Sequence, residues 1–392
     1  MTDLFNPSPE HRALRELVRS FVEREVDPQA EASDHAERFN IALFRKLGEL
    51  GLLGITVEER FGGSGLDPVA VVIAHEEISA ADPGFALAFL AHSILFANNL
   101  QINGSDAQRA QYLPIACTGE KVCGMCMSEP SAGTDVLGMQ TSAVRKGEVY
   151  VLNGAKMWIT NGAVSDSELG DVFLVYARVE GQGRNQLSMF IVEKGFQGFS
   201  LGQKIKGKLG MRASMTAELV FEDCEVPVEN LVGEEGTATL HMMRNLEIER
   251  VALAGMSLGI ARRSLEVMNR YANERSSFGK PLREFGQIQR YIAQSYAEFM
   301  AGRAYTYHTA ATMSLETPGQ RLDSDGVKLF TSTMGKDIAD RAIQVLGGYG
   351  YVSEYGVERL WRDAKLLEIG GGTLEAHQKN MCRELSRVER IL

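Results

Sequence analysis

The segment RNLEIERVALAG carries two glutamates, and helical spacing gives them different surroundings. Glu247 has Arg244 three positions before it and Arg250 three positions after it, so its charge can be matched along a helix surface. Glu249 has Asn245, Leu246, Ala252 and Leu253 at the same spacings and no cation on its stripe. A carboxylate turned towards an apolar side is costly, and the chemistry that repays it is proton abstraction by a desolvated general base. The plain alternative is an edge glutamate whose carboxylate reaches solvent.

Two further segments have the composition of a ligand site. SEPSAGTD leads from an apolar run into small and hydroxylated residues, and MWITNG ends a strand pattern with Trp158, Thr160 and Asn161. Hydroxyls of Ser128 and Thr160, nearby backbone amides and the flat face of Trp158 could hold a planar ligand. Taken singly, the same residues read as ordinary loop composition and a core aromatic. GGYGY at 347–351 and GGGT at 370–373 could bring backbone amides to a phosphate or a carbonyl. The first follows the helical pattern ADRAIQVL rather than a strand, so it is no Rossmann fingerprint, and helix-ending turns are the simpler reading. Cys123 and Cys126 have redox-motif spacing within VCGMCM, which reads as a strand, where residues three apart face opposite sides. With no second pair they read as core cysteines. The seven histidines are dispersed, and no metal site is expected.

These residues need elements to hold them. Ser8-Pro9-Glu10 looks like an N-cap followed by proline in the first helical turn, with Leu14, Leu17, Val18, Phe21 and Val22 on one face. NIALFRKLGELG, DPVAVVIAHEEISA and ALAFLAHSILFANNL continue helical patterns, with Gly62, Gly63 and Gly65 as a loop between helices. From about 122 the pattern changes: VYVL and AKMWIT flank Asn153-Gly154, which reads as a two-residue hairpin turn, and VFLVYARV, LSMFIVEK and AELVFEDCEVP follow. Helical patterns resume near Glu235, with breaks at Phe278-Gly279-Lys280-Pro281 and Thr317-Pro318-Gly319. The expectation is an α+β multidomain chain: an N-terminal helical domain over 1–121, a middle β-sheet domain over 122–232 and a C-terminal helical bundle over 233–392.

Composition narrows the partners. The chain has 392 residues, 44% hydrophobic and 23% charged, enough for several domains with a substantial core. A net charge of −10 argues against an extended surface for nucleic acid. The N-terminus lacks a basic start and apolar run, and no stretch of about twenty uninterrupted apolar residues follows, so neither export nor membrane insertion is expected. Five cysteines scattered over the chain suit a reducing, cytoplasmic setting.

In order along the chain, CMSEPSAGTDV, WITNG, KLGMRAS, ERSSFGKP, IQVLGGYGY and RDAKLLEIGGGT resemble the acyl-CoA dehydrogenase family, over essentially the whole length. The resemblance implies that family's fold, with a C-terminal four-helix bundle, and a homotetramer in which FAD touches two subunits. It places the flavin ring against Met125, Met127, Ser128, Trp158 and Thr160. Arg275, Phe278, Gln287, Gln344, Gly347 and Gly348 match positions that hold the adenosine and pyrophosphate across the subunit boundary, and Thr373 and Glu375 match a further FAD-contacting loop. An arginine suits a pyrophosphate because its planar fork donates two charge-assisted hydrogen bonds.

Most family members carry the catalytic glutamate on the loop at the position of Gly371, and a minority, including isovaleryl-CoA dehydrogenase, on the helix at the position of Glu249. Glycine at the first site and glutamate at the second make the chain most similar to the isovaleryl-CoA dehydrogenase type, which IERVALAG, LAHS and KLLEIGGGT also support. The implied reaction is α,β-desaturation of a short or branched acyl-CoA. Glu249 takes the α-proton, the Gly371 amide stabilises the enolate, and electrons leave through electron-transferring flavoprotein. Glu247 and Arg250 match positions near CoA, and Ser128 and Thr134 match the substrate loop. AVSDSELGD and KIKGKLGM are longer than the family pattern, and FLAHSILFANN places bulky residues by the acyl pocket. Another acyl-CoA, a carrier-protein-bound acyl thioester, and a flavin oxidase or monooxygenase on the same fold therefore stay open.

Overall fold

The computed structural model describes residues 3–181, 183, 186–315, 319 and 321–387, and the expected order of helices, sheet and helices is present. Ser8 caps α1 (Pro9–Phe21) by accepting from the His11 N–H. The chain runs on through a π-helical turn at Val22–Val26 into α2 (Asp27–His35). Leu17, expected on the buried face, is 43% exposed, and the inward position belongs to Arg15. Its guanidinium is paid for by two buried carboxylates, Glu77 Oε1 at 2.5 Å and Glu76 Oε2 at 3.3 Å.

The N-terminal layer continues with α3 (Ile41–Glu49), α4 (Pro68–Ser79), α5 (Pro83–Leu90), a π-helical stretch at Ala91–Asn98, α6 (Asn99–Asn103) and α7 (Asp106–Cys117). Pro83–Asn103 is one helical run of 21 residues, apolar enough by length and composition to cross a membrane. Its most apolar window is 83% buried inside the fold, so its apolarity serves the core.

The sheet comprises β1 (Cys123–Cys126), β2 (Ser142–Lys146), β3 (Val149–Thr160), β4 (Val172–Val179), β5 (Ser188–Glu193), β6 (Phe199–Lys204), β7 (Thr216–Pro227) and β8 (Leu231–Val232), in the order β6-β7-β3-β2-β4-β5-β8, with β1 parallel to β4. Asn153-Gly154 is not the hairpin turn. The β2–β3 turn lies at Gly147-Glu148, and Gly154 sits inside β3 at a bulge opposite β7, with φ +146 and with Thr141 in the space a Cβ would need. Cys123 and Cys126 lie on a strand and pack into different core clusters, as opposite-facing residues must. The two long stretches brace one another, because Asp166 of the first pairs with Lys204 and Lys206 of the second at 2.6 and 2.9 Å.

The C-terminal part is built on α8 (Ala238–Glu274), α9 (Gly286–Thr312) and α10 (Arg321–Leu346), with α11 (Val357–Leu367) and α12 (Leu374–Leu385) closing it. The break at Phe278 is a small hairpin pairing Ser276–Ser277 with Lys280–Pro281. Thr317 and Pro318 of the other expected break lie outside the described residues.

Candidate active site

Helix α8 passes between α4 and α10, so every residue from Glu247 to Ala261 is buried, whichever way it points. Glu249 therefore cannot be an edge glutamate. It is 6% exposed, and its Oε2 has no hydrogen-bond partner among the described residues. Burial pushes its carboxyl up to about 7, against the opposing pull of Arg250 and Lys328. Arg250 itself reaches Asp325 of α10, Nη1 to Oδ1 at 3.2 Å, while Glu247 Oε2 accepts from the Gly319 N–H at 3.2 Å.

The turn between α11 and α12 closes over this carboxyl. Gly370 donates back to Leu366 O at 2.7 Å, and Gly371 and Gly372 then take φ of +68 and +105, which L side chains rarely adopt. A Cβ on Gly371 would stand 2.2 Å from Leu253 Cδ1 and 3.5 Å from Glu249 Oε1, so sterics and backbone both select glycine and the turn lies directly against the base. The Gly371 N–H has no partner among the described residues and is free to donate to a ligand. Thr373 caps α12 by accepting from the Ala376 N–H. Lys328 Nζ donates to Gly372 O at 2.8 Å, and His377 presents Nε2 to the same oxygen at 3.0 Å and Nδ1 to Asp325 at 2.5 Å.

A second set of residues meets where β1 and β3 end. Met157 N–H donates to Ser128 O at 2.9 Å and Lys156 Nζ to Met127 O at 3.1 Å, which sets the Met125–Ser128 segment beside Trp158–Thr160. Lys156 is buried and paired with Glu129 at 2.9 Å. Asn161 Nδ2 ties the strand end to Ala88 O and Cys123 O. His92 donates from Nε2 to Ala116 O and accepts the Cys123 N–H on Nδ1, and burial pushes it down to about 4, so it is a neutral structural pin. Trp158 is no core aromatic. Its backbone has φ +66 and its ring is left 61% exposed at the strand end, a bare planar face. Asn99 Nδ2 contacts Met125 Sδ at 3.7 Å and Tyr176 Oη at 3.2 Å, and Tyr176 feels the charge of Glu249.

The remaining positions form a separate, outward region. Arg275 and Gly348 line a surface cleft of about 470 Å³ with Tyr271, Ser277 and Tyr349, and the Arg275 guanidinium lies 5.9 Å from the Tyr349 ring centre. A cation, a hydroxyl and aromatic faces in one cleft fit the anionic and planar parts of a dinucleotide, and Gly347 and Gly348 have open space where a Cβ would stand. Phe278 is 94% exposed at the hairpin tip, and Gln287, Gln344, Gly347 and Glu375 are also exposed. Thr134 lies exposed in the loop after β1. Among the described residues no group of three His, Cys, Asp or Glu side chains could hold a metal ion. Sequence reasoning missed Lys328, Asp325 and His377. Asp325 and Lys328 stand one helical turn apart, and a lysine on a wholly buried stretch of α10 was the available signal.

The chain matches the acyl-CoA dehydrogenase N-terminal domain over residues 8–120, the middle domain over 124–224 and the C-terminal domain over 239–386. It is 40% identical over 389 residues to the mitochondrial isovaleryl-CoA dehydrogenase of Oryza sativa subsp. japonica, covering 98% of this chain and 93% of that protein. Butyryl-CoA dehydrogenase from Megasphaera elsdenii superposes with a TM-score of 0.91 at 34% identity, covering 99% of both chains. An acyl-CoA dehydrogenase from Bacillus anthracis complexed with FAD superposes with a TM-score of 0.89 at 34% identity, covering 97% of this chain and 67% of that one.

Proposed function

This chain belongs to the acyl-CoA dehydrogenase family, and from that premise we propose that it catalyses FAD-dependent α,β-dehydrogenation of a short or branched-chain acyl-CoA resembling isovaleryl-CoA. It is an oxidoreductase, and the observation that carries the finer reading is Glu249: a buried carboxyl with one unpartnered oxygen, packed against a turn whose Gly371 N–H is also free. Glu249 Oε2 takes the proton as the substrate's Cα–H bond breaks. A carboxyl held near pH 7 by burial has the basicity such a step needs, where an ordinary carboxylate is too weak. The Gly371 N–H donates to the thioester oxygen, on which the negative charge left behind by the departing proton collects. The Met125–Ser128 and Trp158–Thr160 segments would hold the flavin ring of FAD and the Arg275 cleft an adenosine and pyrophosphate part across a subunit boundary, and the bound cofactor would supply the acceptor for the hydride that leaves Cβ. The bare Trp158 face and the Arg275 guanidinium support that placement.

A homotetramer would cover Phe278 and bring Gln287 and Gln344 to a neighbour's cofactor, and electron-transferring flavoprotein is the proposed acceptor of the electrons. The test is anaerobic flavin bleaching of the purified protein and its Glu249→Gln variant by straight, branched and aromatic acyl-CoAs. Bleaching by a branched short acyl-CoA that vanishes in the variant supports the assignment. Bleaching only by an acyl group on a carrier protein would move the substrate. Bleaching that survives Glu249→Gln would sink the role of Glu249 as the base.

A further inference from the structure

Lys328 is 0% exposed in the middle of α10, and an ammonium buried that deeply needs a compensating interaction. Its hydrogen bond goes to Gly372 O at 2.8 Å, one residue beyond the Gly371 amide. The charged and titratable groups facing it are Glu249 and Arg250 from α8, Asp325 from its own helix, Glu368 from the end of α11 and His377 from α12. Asp325 already has Arg250 at 3.2 Å and His377 at 2.5 Å, and Glu368 already has Lys365 at 2.6 Å and Lys336 at 3.5 Å. Glu249 has no ion pair among the described residues, and the charges of Arg250 and Lys328 both bear on it, Arg250 the more strongly.

His377 does not replace the lysine as anchor of the turn. Burial lowers its affinity for a second proton, and a neutral imidazole donates through one nitrogen only. The Asp325 carboxylate, charged and 2.5 Å from Nδ1, is the stronger acceptor for that N–H. Lys328 then remains the donor on Gly372 O.

From this geometry we propose that Lys328 is a positioning residue for proton abstraction: it fastens the Gly371–Gly372 turn against the base and, together with Arg250, supplies positive charge that favours ionised Glu249. The inference rests on the dehydrogenase reading for its catalytic meaning. With the proton on Glu249, the lysine charge keeps the carboxyl from holding it too firmly.

The experiment compares Lys328→Met, Lys328→Gln and Lys328→Arg as flavin-loaded proteins. Bleaching rates are followed across pH 5.5–9, and the Glu249 carboxyl is titrated directly by infrared difference against Glu249→Gln. A nearby positive charge lowers a carboxyl's pKa, so Lys328→Met and Lys328→Gln should move both midpoints up by up to about one unit, with up to about fivefold slower bleaching at pH 7. Lys328→Arg should keep the wild-type midpoint, and Lys328→Gln, still a donor to Gly372 O, should keep more of the high-pH rate than Lys328→Met. A Glu249 midpoint that stays put in Met and Gln variants overturns the proposal, even where the rate falls, because a purely structural lysine lowers rate without moving the titration. A wild-type protein bleached by no acyl-CoA would defeat the dehydrogenase reading instead, and the infrared midpoints would still decide whether Lys328 acts on Glu249.

Discussion

Replacing the base with its neutral isostere should stabilise the protein as it abolishes the reaction, and the gain should depend on pH. Burial raises the Glu249 carboxyl from an ordinary 4.5 to about 7, so the folded state binds its proton more tightly than the unfolded chain does. A raised carboxyl therefore costs nothing at pH well below 4.5, costs progressively more as pH rises towards 7, and costs a constant amount above it. The difference of roughly 2.5 pH units at about 1.4 kcal/mol each gives about 3 kcal/mol for ionising Glu249 in the fold. Glu249→Gln removes that cost but buries an amide whose hydrogen bonds are not all made, which returns part of it, so about 1–3 kcal/mol is expected at pH 8 and almost nothing at pH 4.5. With unfolding entropy near 2.1 cal/mol/K per residue over 392 residues, 3 kcal/mol corresponds to about 4 °C if the chain melts as one unit. Thermal unfolding of both proteins at saturating FAD, followed by flavin release at pH 5 and pH 8, reads the difference. An equal shift at both pH values, or a destabilised variant at pH 8, would refute the claim that Glu249 is a strained, desolvated carboxylate.

Gly371→Ala should lower turnover at least about tenfold with FAD content unchanged, since the new methyl must displace Leu253 and the backbone holds φ +68; a wild-type rate in steady-state assay would show that the turn does not place the thioester. Arg275→Ala should weaken FAD binding by about 10–100-fold, the worth of a charge-assisted hydrogen bond, as read by equilibrium titration of apoprotein; unchanged affinity would remove the cleft from the cofactor site. Thiol titration of the folded protein should find Cys382 fast and the other four cysteines slow, because Cys382 is exposed while burial raises the thiols of Cys117, Cys123, Cys126 and Cys224. Rapid labelling of Cys123 or Cys126 would contradict their core assignment.

What the sequence made legible was periodic. Glu249 stood out because the apolar residues around it recur at helical spacing, and α8 buries that whole stretch. Cys123 and Cys126 separated into two cores because a strand has period two. Where local signals failed, a distant partner had won. Asn153-Gly154 has the composition of a hairpin turn, yet pairing with β7 carries β3 straight through it and converts the glycine into a bulge. Leu17 lost its buried place to Arg15 because Glu76 and Glu77 on α4 offer the guanidinium a stronger partner than packing offers the leucine. Taken singly Trp158 reads as a core aromatic, because nothing nearby in sequence shows that the strand end projects past its cover, and only the resemblance set it against a flavin ring.

The site follows from where four helices meet. A base on a turn needs only that turn to be ordered, whereas a base in the middle of a 37-residue helix is fixed by the packing of α4 and α10 along its length. That rigidity moves the demand to the partner loop, which must come within reach of the carboxyl without a side chain of its own; Leu253 already fills the space, and glycine with positive φ is what remains. A side-chain-free turn is conformationally loose, so it has to be held from behind, and α10 supplies Lys328 to the Gly372 carbonyl oxygen. With the carboxylate on the helix, Gly371 gives the turn its close approach to the base and Lys328 holds that turn by its carbonyl.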